Sequence, residues 1–245
     1  MSATGLKLGI LAAGITPDEL LGDYSSYAGM FEELFRRIGE QFNCVVFDVR
    51  ENHFPNDVNE CDAWLITGSK FSVYDGFPWI AQLLELVRDI DVSGRPLLGI
   101  CFGHQIIAEA LGGSVEKNRG GWGVGLHHYE VVRTHKFMRE AMSGFALSAM
   151  HQDQVVEKPR SATVLASSEF CPFAALGYGD SVLTFQAHPE FTSAFEKDLV
   201  ALRKGSVIPA EVGNSALASL TRGSAEPDSE SVARWMAAFL KQIDQ

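Results

Sequence analysis

The chain has 245 residues, enough for one large domain or two small ones, and its 46% hydrophobic content supplies a substantial core. Twenty basic against 31 acidic side chains leave a net charge of −11, with no basic run, so nucleic acid and anionic membrane are not expected partners. Small molecules or proteins are expected instead.

The N-terminal stretch from Met1 lacks a basic opening and a long apolar core, and reads as a first strand rather than a leader. No apolar segment reaches the 18 or so residues of a membrane helix. Cys44, Cys61, Cys101 and Cys171 show no metal-ligand spacing, and a disulfide framework is not expected. A reducing cytoplasm suits them, and no metal or cofactor is predicted.

Leu6 to Ala12 predicts a buried parallel strand leading into a loop at Gly14. Met30, Phe31, Leu34, Phe35 and Ile38 form the stripe of an amphipathic helix from Tyr27, stopped at Gly39. Cys44 to Val49 and Ala63 to Thr67 predict strands, the second ending at Gly68-Ser69. A helix follows over Trp79 to Ile90, then a strand over Leu97 to Ile100. This rhythm predicts an α/β fold, a mainly parallel sheet with helices on both faces. Ligands sit at the carboxyl ends of such strands, where the loops at Gly14, Gly68-Ser69 and Cys101 can meet over one cleft.

At the end of the fourth strand, Gly99-Ile100-Cys101-Phe102-Gly103 has the form of a cysteine nucleophile elbow, with a helix running on to Gly112-Gly113. The helix N-terminus favours a thiolate at Cys101. The Phe102 amide is free to stabilise an oxyanion. Beyond Gly113 the texture becomes antiparallel, with short strands predicted over His127–Arg133, Phe145–Met150, Thr163–Ser167, Phe173–Tyr178 and Val182–Ala187. Gly121-x-Gly123-x-Gly125 opens no helix and reads as a mobile or closely packed glycine loop, not a nucleotide site.

Helices are predicted over Ser193–Arg203 and Val232–Ile243, with a short one possible over Pro209–Leu220 inside a Ser-, Ala- and Gly-rich excursion. The expected organisation is a catalytic domain over 1–205 and an extension over 206–245 whose amphipathic helix packs on the same domain.

A thiol nucleophile needs a base, and the base an orienting group. His188-Pro189-Glu190, at the end of a strand, supplies both: His188 takes the proton and Glu190 fixes its tautomer. His104 lies on the elbow helix without a neighbouring acid, and His53, His127, His128 and His135 fall in strands or polar loops. His151 ends a strand beside Asp153, and this pair is assigned to substrate binding or structure.

These motifs, with Thr67-Gly68-Ser69 and His151-Gln-Asp-Gln-Val155, resemble the class I (triad) glutamine amidotransferase family over about residues 6 to 200. The resemblance implies a flavodoxin-like sheet with an antiparallel addition and a Cys101-His188-Glu190 triad. Cys101 would attack glutamine or another γ-glutamyl amide to give a γ-glutamyl thioester, releasing ammonia or an amine. It also implies an oxyanion hole from the Phe102 amide and the Gly68-Ser69 loop, and contact of Gln105 with the amino-acid end of the substrate. Many relatives carry consecutive glycines where this chain has Gly68-Ser69-Lys70. No synthetase domain is evident. A stand-alone member, similar to the amidotransferase part of GMP synthase, would pass ammonia to a synthetase in trans. The alternatives are a γ-glutamyl peptidase acting on glutathione-like peptides and a catalytically weak regulatory subunit.

Overall fold

The computed structural model describes residues 5–139, 142–221 and 226–244. Its first half alternates strand and helix: β1 (Lys7–Ala12), α1 (Tyr27–Arg37), β2 (Asn43–Asp48), β3 (Ala63–Ile66), α2 (Pro78–Ser93), β4 (Leu97–Ile100) and α3 (Phe102–Ala110). Then come β5 (Ser114–Lys117), β6 (Gly123–Val131), β7 (Gly144–His151), β8 (Asp153–Glu157), β9 (Ala162–Ser167), β10 (Ala175–Tyr178) and β11 (Val182–Phe185). Three helices close the chain: α4 (Ser193–Arg203), α5 (Ala210–Thr221) and α6 (Ser229–Leu240).

The main sheet has nine strands in the order β2-β1-β3-β4-β11-β10-β9-β6-β7. From β2 to β11 neighbouring strands are parallel, and from β11 to β7 they are antiparallel. Its parallel half has the flavodoxin-like order, with β11 as the fifth strand although it is the last in sequence. The fold class expected from sequence is the one observed.

Helix boundaries follow local chemistry. The Ser26 hydroxyl caps α1 by accepting from the Gly29 amide at 3.1 Å, and Thr192 caps α4 by accepting from Phe195 at 3.1 Å. Pro78 opens α2 at a position that needs no amide donor, and Gly94, with φ of 70°, ends it in the left-handed region. β3 and β4 are buried at every position, as strands covered on both faces must be, which explains their continuous apolar runs.

One face of the sheet packs α1 and α6 together: Phe31, Leu34 and Phe35 share a core with Val232, Trp235, Met236 and Phe239. Each such side chain contributes roughly 1.5–3 kcal/mol on burial, so α6 is integral to this core. The opposite face packs α2 and α3 through Trp79, Leu83, Val87, Phe102, Ile106 and Ile107.

Two regions differ from the sequence expectation. β6 starts at Gly123 rather than His127, because its glycines are packing positions: a Cβ on Gly123 would lie 2.6 Å from the Phe170 ring, and one on Gly125 2.8 Å from Ser219 Oγ. The segment after His151 forms β8, paired antiparallel with β5 in a separate two-stranded sheet. Neither β5 nor β8 carries enough apolar alternation to announce a strand. No helix among the described residues is long and apolar enough to cross a membrane.

The elbow glycines are fixed by close approach. A Cβ on Gly103 would lie 2.3 Å from the Ile66 carbonyl oxygen, and one on Gly99 2.6 Å from the Gly103 carbonyl oxygen. Gly103→Ala is therefore expected to lower stability by about 1–3 kcal/mol in urea unfolding. Gly22→Ala, which meets no atom within 4 Å, should leave the midpoint unchanged.

Candidate active site

β3, β4 and β11 lie side by side, in a register that pairs Ile66 with Gly99 and Ile100 with Phe185. Their carboxyl ends deliver Gly68-Ser69, Cys101 and His188 to one edge of the sheet. The Cys101 amide donates to the Phe185 carbonyl at 2.9 Å, tying the turn after β4 to β11.

Cys101 has φ of 53° and ψ of −102°, a conformation a non-glycine residue adopts at a cost of roughly 1–3 kcal/mol. Cys101 is buried, 5% exposed, at the mouth of α3. The Phe102 amide, first in that helix, has no intrahelical acceptor.

The His188 imidazole is held on several sides. Its Nδ1 lies 2.8 Å from Glu190 Oε1, and its ring stacks on Phe191 with centroids 4.0 Å apart at an interplanar angle of 7°. The His188 backbone amide donates to the Ser148 carbonyl at 2.8 Å. The thiol of Cys101 and the ring interact directly. With Nδ1 committed to Glu190, Nε2 is the nitrogen left for the sulfur. Burial pulls the imidazole pKa down, but Glu190 and Cys101 outweigh it and raise the value to about 10. The ring is therefore protonated at neutral pH. Gly68 completes the enclosure: a Cβ there would come within 2.7 Å of His188 Cε1. Gly14 packs in turn on this loop, since its Cβ would meet the Gly68 carbonyl oxygen at 2.3 Å.

A cavity of about 330 Å³ opens over the sulfur, lined by Ser69, Cys101, Gln105, His151 and Asp153 among others. A larger depression of about 1100 Å³ along β6, β7 and the Ser167–Glu169 turn contains none of these residues. The Gln105 amide nitrogen donates to the Asp153 carbonyl at 2.8 Å and lies 3.2 Å from Gln186 Oε1. The Asp153 carboxylate accepts from the hydroxyls of Ser72 and Tyr74, not from the imidazole of His151. His151 Nδ1 meets the Asp153 carbonyl at 3.2 Å, and burial pushes its pKa down to about 3. His151 is therefore a neutral wall of the cavity.

Every site residue singled out from the sequence falls within this cluster. Four contributors were not singled out: Phe191, Ser148, Arg203 and Glu196. Glu196, on α4, is fully buried, accepts from the Gly125 amide at 3.0 Å, and has its pKa raised to about 7, chiefly by burial. Phe191 adjoins Glu190 in sequence and was open to notice there. The other three reach the site only through tertiary packing.

The Glutamine amidotransferase class-I family profile matches residues 20–203. Gamma-glutamyl peptidase 3 of Arabidopsis thaliana is 34% identical over 185 residues, covering 72% of this chain and 74% of its own length. A glutamine-hydrolyzing GMP synthase subunit of Sulfolobus acidocaldarius is 32% identical over 136 residues, 55% of this chain and 70% of its own. A solved glutamine amidotransferase from Thermotoga maritima superposes with a TM-score of 0.75 at 21% identity, covering 96% of each chain, which reports on the fold alone. The chain belongs to the class-I glutamine amidotransferase family and is an enzyme of that class.

Two buried neutral imidazoles bear on acid stability. His104, completely buried with Nδ1 2.8 Å from Thr184 Oγ1, has its pKa lowered by burial to about 3, as has His151. Both titrate near 6.5 when unfolded, so their contribution is intact above that pH and is lost as pH falls from 6.5 toward 3. Each should weaken the fold by about 1.4 kcal/mol per pH unit over this window. The urea midpoint is expected to fall between pH 7 and pH 5, and His104→Gln should flatten the decline. An unchanged slope in that variant would contradict the assignment.

Proposed function

We propose that Cys101, His188 and Glu190 act as a catalytic triad that hydrolyses γ-glutamyl amides through a γ-glutamyl thioester. The observation that carries this reading is the placement of His188, pinned between Glu190 and Phe191 and directed at the sulfur of Cys101. The proton shared by Cys101 and His188 rests on the imidazole, and the sulfur attacks the γ-carbonyl carbon while the C=O electron pair moves to oxygen. The Phe102 amide and an amide of the Gly68-Ser69 loop receive that oxyanion. As the C–N bond breaks, His188 returns the proton to the departing nitrogen, leaving the acyl group on sulfur. Water then attacks the thioester carbon, His188 takes its proton, and the C–S bond breaks to release the glutamyl acid and restore the sulfur–imidazolium pair.

Gln105 and Asp153 are assigned to the amino-acid end of the γ-glutamyl group, and His151 to the cavity wall between them. The γ-glutamyl peptidase named above aligns with more of this chain than the GMP synthase subunit does. That favours γ-glutamyl peptides as substrates, with glutamine the smallest member of the class. Delivery of ammonia to a synthetase in trans is the second reading, supported by the likeness to the GMP synthase subunit.

Purified protein incubated with glutamine and with γ-glutamyl dipeptides, followed by free glutamate, tests both readings. Peptide turnover well above glutamine turnover selects the peptidase. Glutamine hydrolysis that rises only on adding a synthetase selects the relay. Cys101→Ala and His188→Ala should each reduce turnover by about 100-fold or more while the fold persists, and full activity in Cys101→Ser would refute thiol catalysis.

The pH profile is a separate check. The leaving nitrogen is protonated only by the imidazolium, so kcat/KM should fall as pH rises through about 10. Glu190→Gln removes the carboxylate that raises this pKa, and should move the alkaline limb down by about one pH unit or more.

A further inference from the structure

The cavity over Cys101 has a charge opposite to that of the protein. Lys70, Lys117 and Arg203 line it, against one carboxylate, Asp153, which is already engaged by Ser72 and Tyr74, whereas the chain as a whole carries −11. Among the described residues none of the three cations forms an ion pair. Three cations gathered around a single, already engaged carboxylate in an acidic protein fit a ligand that brings its own carboxylates.

The two walls of the cavity separate the tasks. Lys117 is the register partner of Asp153 in the β5–β8 pair, and the Gln105 side chain is bonded to the Asp153 carbonyl, so this wall faces the γ-glutamyl head in the proposed mechanism. Arg203 belongs to the other wall. It interacts with the Tyr27 hydroxyl, the Tyr27 ring lies 5.6 Å from that of Phe191, and Phe191 is stacked on His188. In the proposed mechanism the departing nitrogen, which takes its proton from His188, lies toward this wall.

Arg203 is also anchored. It is the last residue of α4, half-buried, and its carbonyl accepts from the amides of Ser206, Val207 and Ile208 at 3.2, 3.0 and 3.0 Å. The turn thus fixes the point from which the guanidinium extends toward the cavity. Tyr27, itself buried, supports that side chain without neutralising it.

We propose that Arg203 is a specificity-determining residue that binds a carboxylate on the leaving group of the substrate. The assignment rests on the γ-glutamyl acyl-transfer reading and extends it to the leaving group. Ammonia carries no carboxylate, whereas an amino acid or peptide released from a γ-glutamyl bond does. The site therefore prefers γ-glutamyl peptides with a free C-terminal carboxylate over glutamine and over peptide amides. The planar guanidinium suits a carboxylate through paired N–H donors, which a lysine at this position would not reproduce.

Binding of γ-glutamyl-alanine and of its C-terminal amide to full-length Cys101→Ala protein, measured by calorimetry, reads the carboxylate site without turnover. The acid is expected to bind about 10- to 100-fold more tightly than the amide. Adding Arg203→Gln should bring the ratio to within about 2-fold, and Arg203→Lys should leave it intermediate. Equal binding of acid and amide, no binding of either, or a ratio that survives Arg203→Gln would overturn the assignment. Wild-type turnover of a γ-glutamyl anilide, whose leaving amine has no carboxylate, reports separately on the acyl chemistry. Anilide turnover with no acid preference would defeat the role of Arg203 alone. An acid preference without anilide turnover would defeat the thioester mechanism alone.

Discussion

The site depends on the hydrogen-bonded register of three parallel strands, β3, β4 and β11. Because Ile66 pairs with Gly99 and Ile100 with Phe185, the residues just past each strand end emerge level with one another. A slip of one residue would turn each side chain to the opposite face of the sheet. The bond from the Cys101 amide to the Phe185 carbonyl extends the ladder one residue past β4, into the elbow itself. Cys101 is thus placed by backbone pairing, before any side-chain contact is counted.

That placement is energetically expensive, and the surrounding packing supports it. Cys101 has a positive φ, a buried imidazolium faces a buried carboxylate, and Glu196 lies fully buried on α4. A buried ion pair gains little net stability unless its geometry is good and its remaining polar atoms are satisfied. Here Nδ1 and Oε1 are 2.8 Å apart and the aromatic face of Phe191 excludes water from one side of the ring, while Glu190 Oε2 has no hydrogen-bond partner among the described residues. The glycines at 14, 68, 99 and 103 allow backbone and ring to approach to distances that any Cβ would prevent. The strain and the charge are held by a close-packed shell that has little room to relax.

Electrostatics divide the molecule into an acidic exterior and a cavity whose lining is cationic. The two roles do not conflict. The net charge of −11 sets the sign of the field at long range, while the cations lining the cleft act over short distances where screening is weaker. Composition alone reports only the sum. The local sign emerges when β5, the loop after β3 and the end of α4 are brought to one cavity.

Much was legible in the sequence because its signals are local. The elbow Gly99-Ile-Cys-Phe-Gly103, the sequence His188-Pro-Glu190 and the apolar runs of β1, β3 and β4 each carry their meaning within a few residues. Those stretches determined the α/β class and pointed to Cys101 as the proposed nucleophile and to His188 with Glu190 as the proposed base and orienter. The tertiary structure alone decided that β11 fills the fifth parallel position, that β5 and β8 pair apart from the main sheet, and that Asp153 turns to Ser72 and Tyr74 rather than to the His151 ring. It also brought Arg203 into a cavity built around a residue about a hundred positions earlier. Periodicity and turn chemistry act between neighbours in sequence, whereas strand order, cavity lining and the sign of a buried field arise from contacts between residues far apart along the chain.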